Sequence, residues 1–190
     1  MARAVADWLA EFSLVQPSPT PRVVASRQTN WMAPPPTIYK INYDGAVSLS
    51  SNCSGIGVVI QNSVGLVVAS LAQRFRQAYK PVEIEAMAAI RAIEFAREIG
   101  VDRIMDEGDS SIVTKALSTK NPALALYGLL IEDTRVLEGN FLELSYSHTK
   151  REGNEVAHCL ARLALTLSDV AVWMEDVPLS VLPFVQTDFP

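Results

Sequence analysis

Residues 82–99 repeat apolar side chains at helical spacing, and one carboxylate, Glu85, stands in the middle of the apolar stripe. On a wheel of about 100° per residue, Glu83, Arg91, Glu94, Arg97 and Glu98 share the opposite face, while Ala89, Ala92, Ile93 and Ala96 flank Glu85. A helix of this kind must lay its apolar face on another layer of structure and carry Glu85 in with it. There the carboxylate is costly without a partner. That partner is a proton, a metal ion, an Arg or a backbone amide. Glu83, by the same wheel, belongs to solvent.

The flanking patterns describe that layer. Ile38–Tyr43 alternates Tyr39, Ile41 and Tyr43 with Lys40 and Asn42, which is the period of a half-buried strand. Ile56–Gln61 and Leu66–Phe75 are two more strands, joined as a hairpin by Asn62-Ser63-Val64-Gly65. Pro81 suits the first turn of the helix and Gly100 its end. Arg103–Glu107 follows as a fourth strand and Asp109–Leu117 as a second helix. After Asn121-Pro122 come a third helix, Ala123–Leu137, a fifth strand, Phe141–Ser147, and a long last helix, Arg151–Leu167. The order β-β-β-α-β-α-α-β-α predicts an α/β fold, a mixed sheet with helices on both faces.

Six of the eleven prolines fall in the first 36 residues, so 13–36 reads as an extended linker after a short amphipathic segment (Ala4, Val5, Trp8, Leu9, Phe12). The expected organisation is a segment and linker over 1–36, a domain over 37–167, and a tail over 168–190. Trp173, Leu179, Leu182 and Phe184 suggest that part of the tail packs down. The 49% hydrophobic content supports a sizeable core, yet no apolar run approaches the ~20 residues of a membrane helix. Asp7 and Glu11 interrupt the apolar start, which argues against a secretory or transit sequence and points to the nucleus or cytoplasm, with no membrane partner. Cys53 and Cys159 are the only cysteines and fit a reducing compartment. With His148 and His158 they lack the spacing of a zinc site.

Two further acids matter beside Glu85. Asp44-Gly45 ends the first strand, where a simple turn also explains it. Asp109-Ser110 stands between the fourth strand and its helix, where Asp109 also serves as an N-cap. Ligand sites in open sheets lie at the carboxyl ends of strands. Three carboxylates converging there repel one another without a cation, and hard ions such as Mg²⁺ take oxygen ligands.

The set resembles type 1 ribonuclease H, and more closely the plant reverse-transcriptase-like branch of that superfamily. The residues that carry the likeness are Lys40-Ile41-Asn42-Tyr43-Asp44-Gly45-Ala46, Glu83 through Ile90, Glu107-Gly108-Asp109-Ser110, and His148 followed by Asn154 through Arg162. The resemblance spans roughly residues 37–167. It implies an RNase H-like fold, a five-stranded mixed sheet with the first and fourth strands adjacent. It also implies cleavage of the RNA strand of RNA–DNA hybrids, with Asp44, Glu85 and Asp109 holding two Mg²⁺ ions (Mn²⁺ as an alternative). His148 matches a loop histidine that moves protons or aids product release; alone it reads equally as an exposed loop residue.

The chain departs from that pattern at His158, where active members carry a fourth carboxylate. Its neighbours on the last helix make His158 either a site-lining or a solvated residue. Imidazole is a poorer Mg²⁺ ligand than carboxylate, so weaker binding of one metal and reduced activity are expected. The net charge of −5 opposes a nucleic-acid partner. Residues 118–140 set Lys120 and Arg135 against Glu132, Asp133 and Glu138, and nothing there resembles a basic handle for hybrids. Two functions follow: a weakened hybrid nuclease, or a catalytically inactive nucleic-acid- or protein-binding module of retroelement origin.

Overall fold

A computed structural model describes residues 31–119 and 127–188. The amphipathic segment, most of the proline-rich linker and the start of the third helix lie outside the described residues. The strands are β1 (Tyr39–Ser48), β2 (Cys53–Gln61), β3 (Val67–Phe75), β4 (Arg103–Gly108), β5 (Glu143–His148) and β6 (Val170–Met174). The helices are α1 (Pro81–Glu98), α2 (Ser111–Ser118), α3 (Gly128–Glu138), α4 (Glu155–Ala164) and α5 (Leu182–Asp188). A single 3₁₀ turn, Arg151–Gly153, precedes α4.

The strands form one mixed sheet in the order β5-β4-β1-β2-β3-β6. β1, β2, β3 and β6 pair antiparallel in succession, while β4 runs parallel to both β1 and β5. The expected adjacency of first and fourth strands is present, with Tyr43 opposite Gly108 where their pairing ends. The sheet has six strands rather than the five expected. The sixth comes from the tail, where Ala171 and Val172 pair with Ala72 and Leu71. The last helix is shorter than its apolar pattern suggested, because Asn154 interrupts residues 151–167.

Helices cover both faces. One face carries α1, α2 and α3 over Ile41, Tyr43, Ile56, Val58 and Leu71, with Ile84, Ile93, Phe95 and Ile131 fully or almost fully buried. Each such apolar side chain contributes roughly 1.5–3 kcal/mol by leaving water. The other face carries α4, whose Val156, Ala157 and Leu160 join Val59 and the tail residues Val177, Val181 and Val185. α1 starts at Pro81, with Glu83 accepting the Lys80 backbone N–H at 3.1 Å, and ends at Gly100, where φ is +80°.

Glycine decides how closely the layers meet. A Cβ at Gly45 would lie 2.8 Å from Ile84 Cγ2 and 3.1 Å from the Glu85 nitrogen, so its absence lets α1 press against β1 beside Asp44. On the other face, a Cβ at Gly57 would fall onto the Ala157 carbonyl and the Ala161 nitrogen. β2 is buried along its whole length, so neither layer has room to yield. Gly57→Ala is therefore expected to lose roughly 3 kcal/mol or more of stability, read as a lower urea midpoint. An unchanged midpoint would mean that α4 does not sit on β2 as described.

Candidate metal centre

β1 outruns its parallel neighbour. Pairing with β4 stops at Tyr43, and β1 continues to Ser48 against β2 alone. Asp44 is the first residue past that end. It is therefore inside a strand, and the turn reading of Asp44-Gly45 is replaced by a continuous β1. Its carboxylate is fully buried. Asp109 follows the end of β4, next to it. The N-cap of α2 is Ser110, whose Oγ accepts from the Val113 N–H at 3.5 Å, so the Asp109 side chain is left to the site. Glu85 reaches the same point from α1, across the gap that Gly45 opens.

One oxygen from each of Asp44, Glu85 and Asp109 lies within 4.8 Å of the other two. With the carboxylates ionised, Asp44 Oδ1 and Glu85 Oε2 are buried without a hydrogen-bond donor. Bare acceptors of this kind are rare and costly, and a hard divalent ion with oxygen ligands fits them. The electrostatics reflect the crowding. Burial pushes Glu85 up to about 9, and Asp44 and Asp109 add to the effect by charge repulsion; its hydrogen bond with Asp44 acts the same way, and the Gly45 N–H opposes it. Asp109 is raised first by burial and then by Asp44, with Arg151 and His158 acting against the rise.

His158 joins these residues from α4. Its Nδ1 lies 2.6 Å from Asp44 Oδ2, the geometry of an N–H donating to the carboxylate. Arg151 Nη2 lies 2.7 Å from both ring nitrogens of His158. Arg151 Nη1 also donates to Asp109 Oδ2 at 3.4 Å. His148 ends β5 in register with Gly108, and its Nε2 is 3.2 Å from the Asp109 carbonyl oxygen. All five residues singled out in the sequence thus stand at one place. His148 touches only its rim.

The sequence reading passed over Arg151, and also the network that sets α4. Lys40 Nζ lies 3.0 and 3.2 Å from the two Glu107 oxygens. Asn42 Nδ2 donates to Glu107 Oε1 at 3.1 Å and to Asn154 Oδ1 at 3.2 Å, and Asn154 Nδ2 donates to the Tyr43 carbonyl at 2.9 Å. These groups are buried on the face of β1 that also carries Asp44. Their spacing held the signal: Lys40, Asn42 and Asp44 alternate along one strand face, and Asn154 and His158 lie one helical turn apart. Beside the carboxylates opens a cleft of about 700 Å³, lined by Ser48, Ser50, Arg151, His158 and Arg162 among others.

Residues 42–164 match the reverse transcriptase-like family. Among solved structures, RNase H1 from the halophilic archaeon Halobacterium salinarum NRC-1 superposes with a TM-score of 0.63 at 28% identity, over 68% of this chain and 98% of that one. The N-terminal RNase H domain of Rv2228c from Mycobacterium tuberculosis gives 0.61 at 22% identity, over 68% and 94%. An RNase H1 isolated from compost by a metagenomic approach, solved in complex with an RNA/DNA hybrid, gives 0.56 at 24% identity, over 67% and 96%. No curated protein matches the chain.

The raised Glu85 sets a pH dependence for the metal-free protein. A carboxyl whose folded value lies above its unfolded one favours folding most fully at low pH, and that contribution is lost as pH rises from about 4.5 towards about 9. Glu85→Gln removes the loss. In chelator, the variant should exceed the native chain by on the order of 2 kcal/mol at pH 7, with the gap closing near pH 4. Urea unfolding across that range measures it. A variant less stable at pH 7 would show that Glu85 holds a structural bond instead.

Proposed function

The chain belongs to the reverse transcriptase-like family, and on that premise we propose that it is a divalent-metal-dependent endoribonuclease that cleaves the RNA strand of RNA–DNA hybrids. The observation that carries this reading is the convergence of Asp44, Glu85 and Asp109 within 4.8 Å, with buried oxygens that no donor satisfies. Mg²⁺ suits this oxygen set, with Mn²⁺ as an alternative. When bound, the metal supplies a hydroxide nucleophile and charge neutralisation at the scissile phosphate and the leaving 3′ oxygen.

The remaining work belongs to the chain's own residues. The three carboxylates hold the ion, and Glu85 gives up its proton to do so, so metal affinity should rise with pH. His158 fixes the orientation of Asp44 through the 2.6 Å contact at Nδ1. His148 stands at the rim, 3.2 Å from the Asp109 carbonyl, where it can pass a proton to solvent or help product leave. The cleft beside the cluster offers the Arg151 and Arg162 guanidinia to backbone phosphates. Selectivity for a hybrid would rest on groove shape and the RNA 2′-hydroxyl.

His158 in the place of a fourth carboxylate weakens this activity in our reading. One observation favours a second reading, a catalytically inactive binding module: His158 and Arg151 already engage Asp44 Oδ2 and Asp109 Oδ2. Cleavage of an end-labelled RNA–DNA hybrid, in Mg²⁺ and separately in Mn²⁺, decides between them. The nuclease predicts slow internal cuts in the RNA strand only, reduced by roughly 100-fold or more in Asp44→Asn. A folded protein that cuts in neither metal, while retaining hybrid in a gel shift, would establish the binding module.

A further inference from the structure

Each side of the carboxylate cluster that faces α4 is already closed by a cationic or hydrogen-bonding group. Asp44 Oδ2 is taken by His158 Nδ1 at 2.6 Å, and Asp109 Oδ2 by Arg151 Nη1 at 3.4 Å. Arg151 and His158 are themselves linked at 2.7 Å. On the α1 side the opposite holds, and Asp44 Oδ1 and Glu85 Oε2 are buried without a donor. We propose that the Arg151 guanidinium is a resident cation of this cluster, so that the site takes one divalent ion, on the α1 side, where a fourth carboxylate would have let it take two. The inference rests on the metal-site reading above and adds the stoichiometry and the residue that sets it.

Charge and anchoring both support this. Three ionised carboxylates carry three negative charges; one divalent ion and one guanidinium cancel them. A second divalent ion would add two positive charges beside that of Arg151, and among the described residues the cluster holds no fourth carboxylate for it. The new donor beside Asp44 would be the imidazole of His158, whose Nδ1 already faces Asp44 Oδ2 and which suits Mg²⁺ poorly. Arg151 is also held near the site. It begins the 3₁₀ turn Arg151–Gly153, in which Gly153 is buried, and Asn154 next in sequence is locked to Asn42 and to the Tyr43 carbonyl. The side chain itself is 56% exposed, so it also fronts the cleft. There its planar fork can meet a phosphate that a second ion would otherwise neutralise.

Calorimetric titration of the full chain with Mn²⁺ alone tests this, with the melting temperature of each variant confirming its fold. The native chain and Arg151→Lys should bind one ion, and Asp44→Asn none. Arg151→Ala should bind its ion at least roughly tenfold more tightly, since a like charge has gone. Arg151→Ala combined with His158→Asp should bind two. Two ions on the native chain would overturn the inference and leave the metal site standing. One ion on the double variant would also overturn it, because Arg151 and His158 would not then be what limits the count. No binding by either folded protein would remove the metal-site reading and the inference together.

Discussion

Three carboxylates that must share one place repel one another, and the architecture can be read as the means of holding them there. Each comes from a different element: Asp44 from β1, Glu85 from α1, and Asp109 from the junction of β4 and α2. No local segment could bring them together, so the cluster exists only when the sheet has formed and α1 has docked. The apolar contacts of α1 with β1 and β2 supply the driving force for bringing Glu85 inward. Gly45 removes the one side chain that would hold it away. Before any metal arrives, the repulsion is relieved in three ways: a proton retained on Glu85, the imidazole on Asp44, and the guanidinium on Asp109.

The face of the sheet opposite α1 carries a second constraint. A buried lysine and glutamate are a poor source of stability unless their remaining hydrogen bonds are met. Here Lys40 meets both Glu107 oxygens, Asn42 adds a third bond, and the Trp31 ring lies 5.3 Å from the Lys40 ammonium. The return on this arrangement is positional. Asn42 meets Asn154 and, two residues along the strand, Asp44 meets His158 one turn along the helix. These paired contacts fix both the register and the rotation of α4. A one-residue slip of β1 would turn Asn42 and Asp44 away together.

Much of this was legible in the chain because Glu85 breaks the helical pattern that surrounds it. The order of strands and helices was legible for the same reason, since long apolar repeats dominate their own surroundings. What escaped notice depended on distant partners. β6 is a five-residue strand whose Val170, Val172 and Met174 remain about half exposed, and pairing with β3 rather than periodicity makes it a strand. Lys40 and Asn42 looked like a solvent face because alternation does not reveal that a helix will cover them. Asp109 reads as an N-cap in the sequence, whereas Ser110 stays extended (φ −81°, ψ 99°) and the helix starts one residue later, a shift that the local pattern does not fix. Arg151 reads as the first residue of the last helix, and nothing local marks it out until Asp109 and His158 are beside it.

The acidic balance of the chain, which argues against a phosphate-bearing partner, loses much of its force once the charges are placed. Screening confines the influence of an exposed charge to about 10 Å at ordinary salt, so the field at the cleft matters more than the sum. The cleft presents Arg151 and Arg162, and the carboxylates beside it are those already compensated by a proton, an imidazole and a guanidinium. Elsewhere the negative charge sits on surfaces turned to other tasks. Glu83 caps α1, Glu98 pairs with Arg91 at 2.9 Å, and Glu132 pairs with Arg135 at 2.6 Å, whose second nitrogen turns to the Ala116 carbonyl. Arg135 is thereby bound up within α2 and α3. A hybrid docking here would meet its cations at the cleft rather than along α3, and one metal ion would make that local field more positive still. Affinity drawn from so few cations should fall less steeply with salt than that of a protein with an extended basic face.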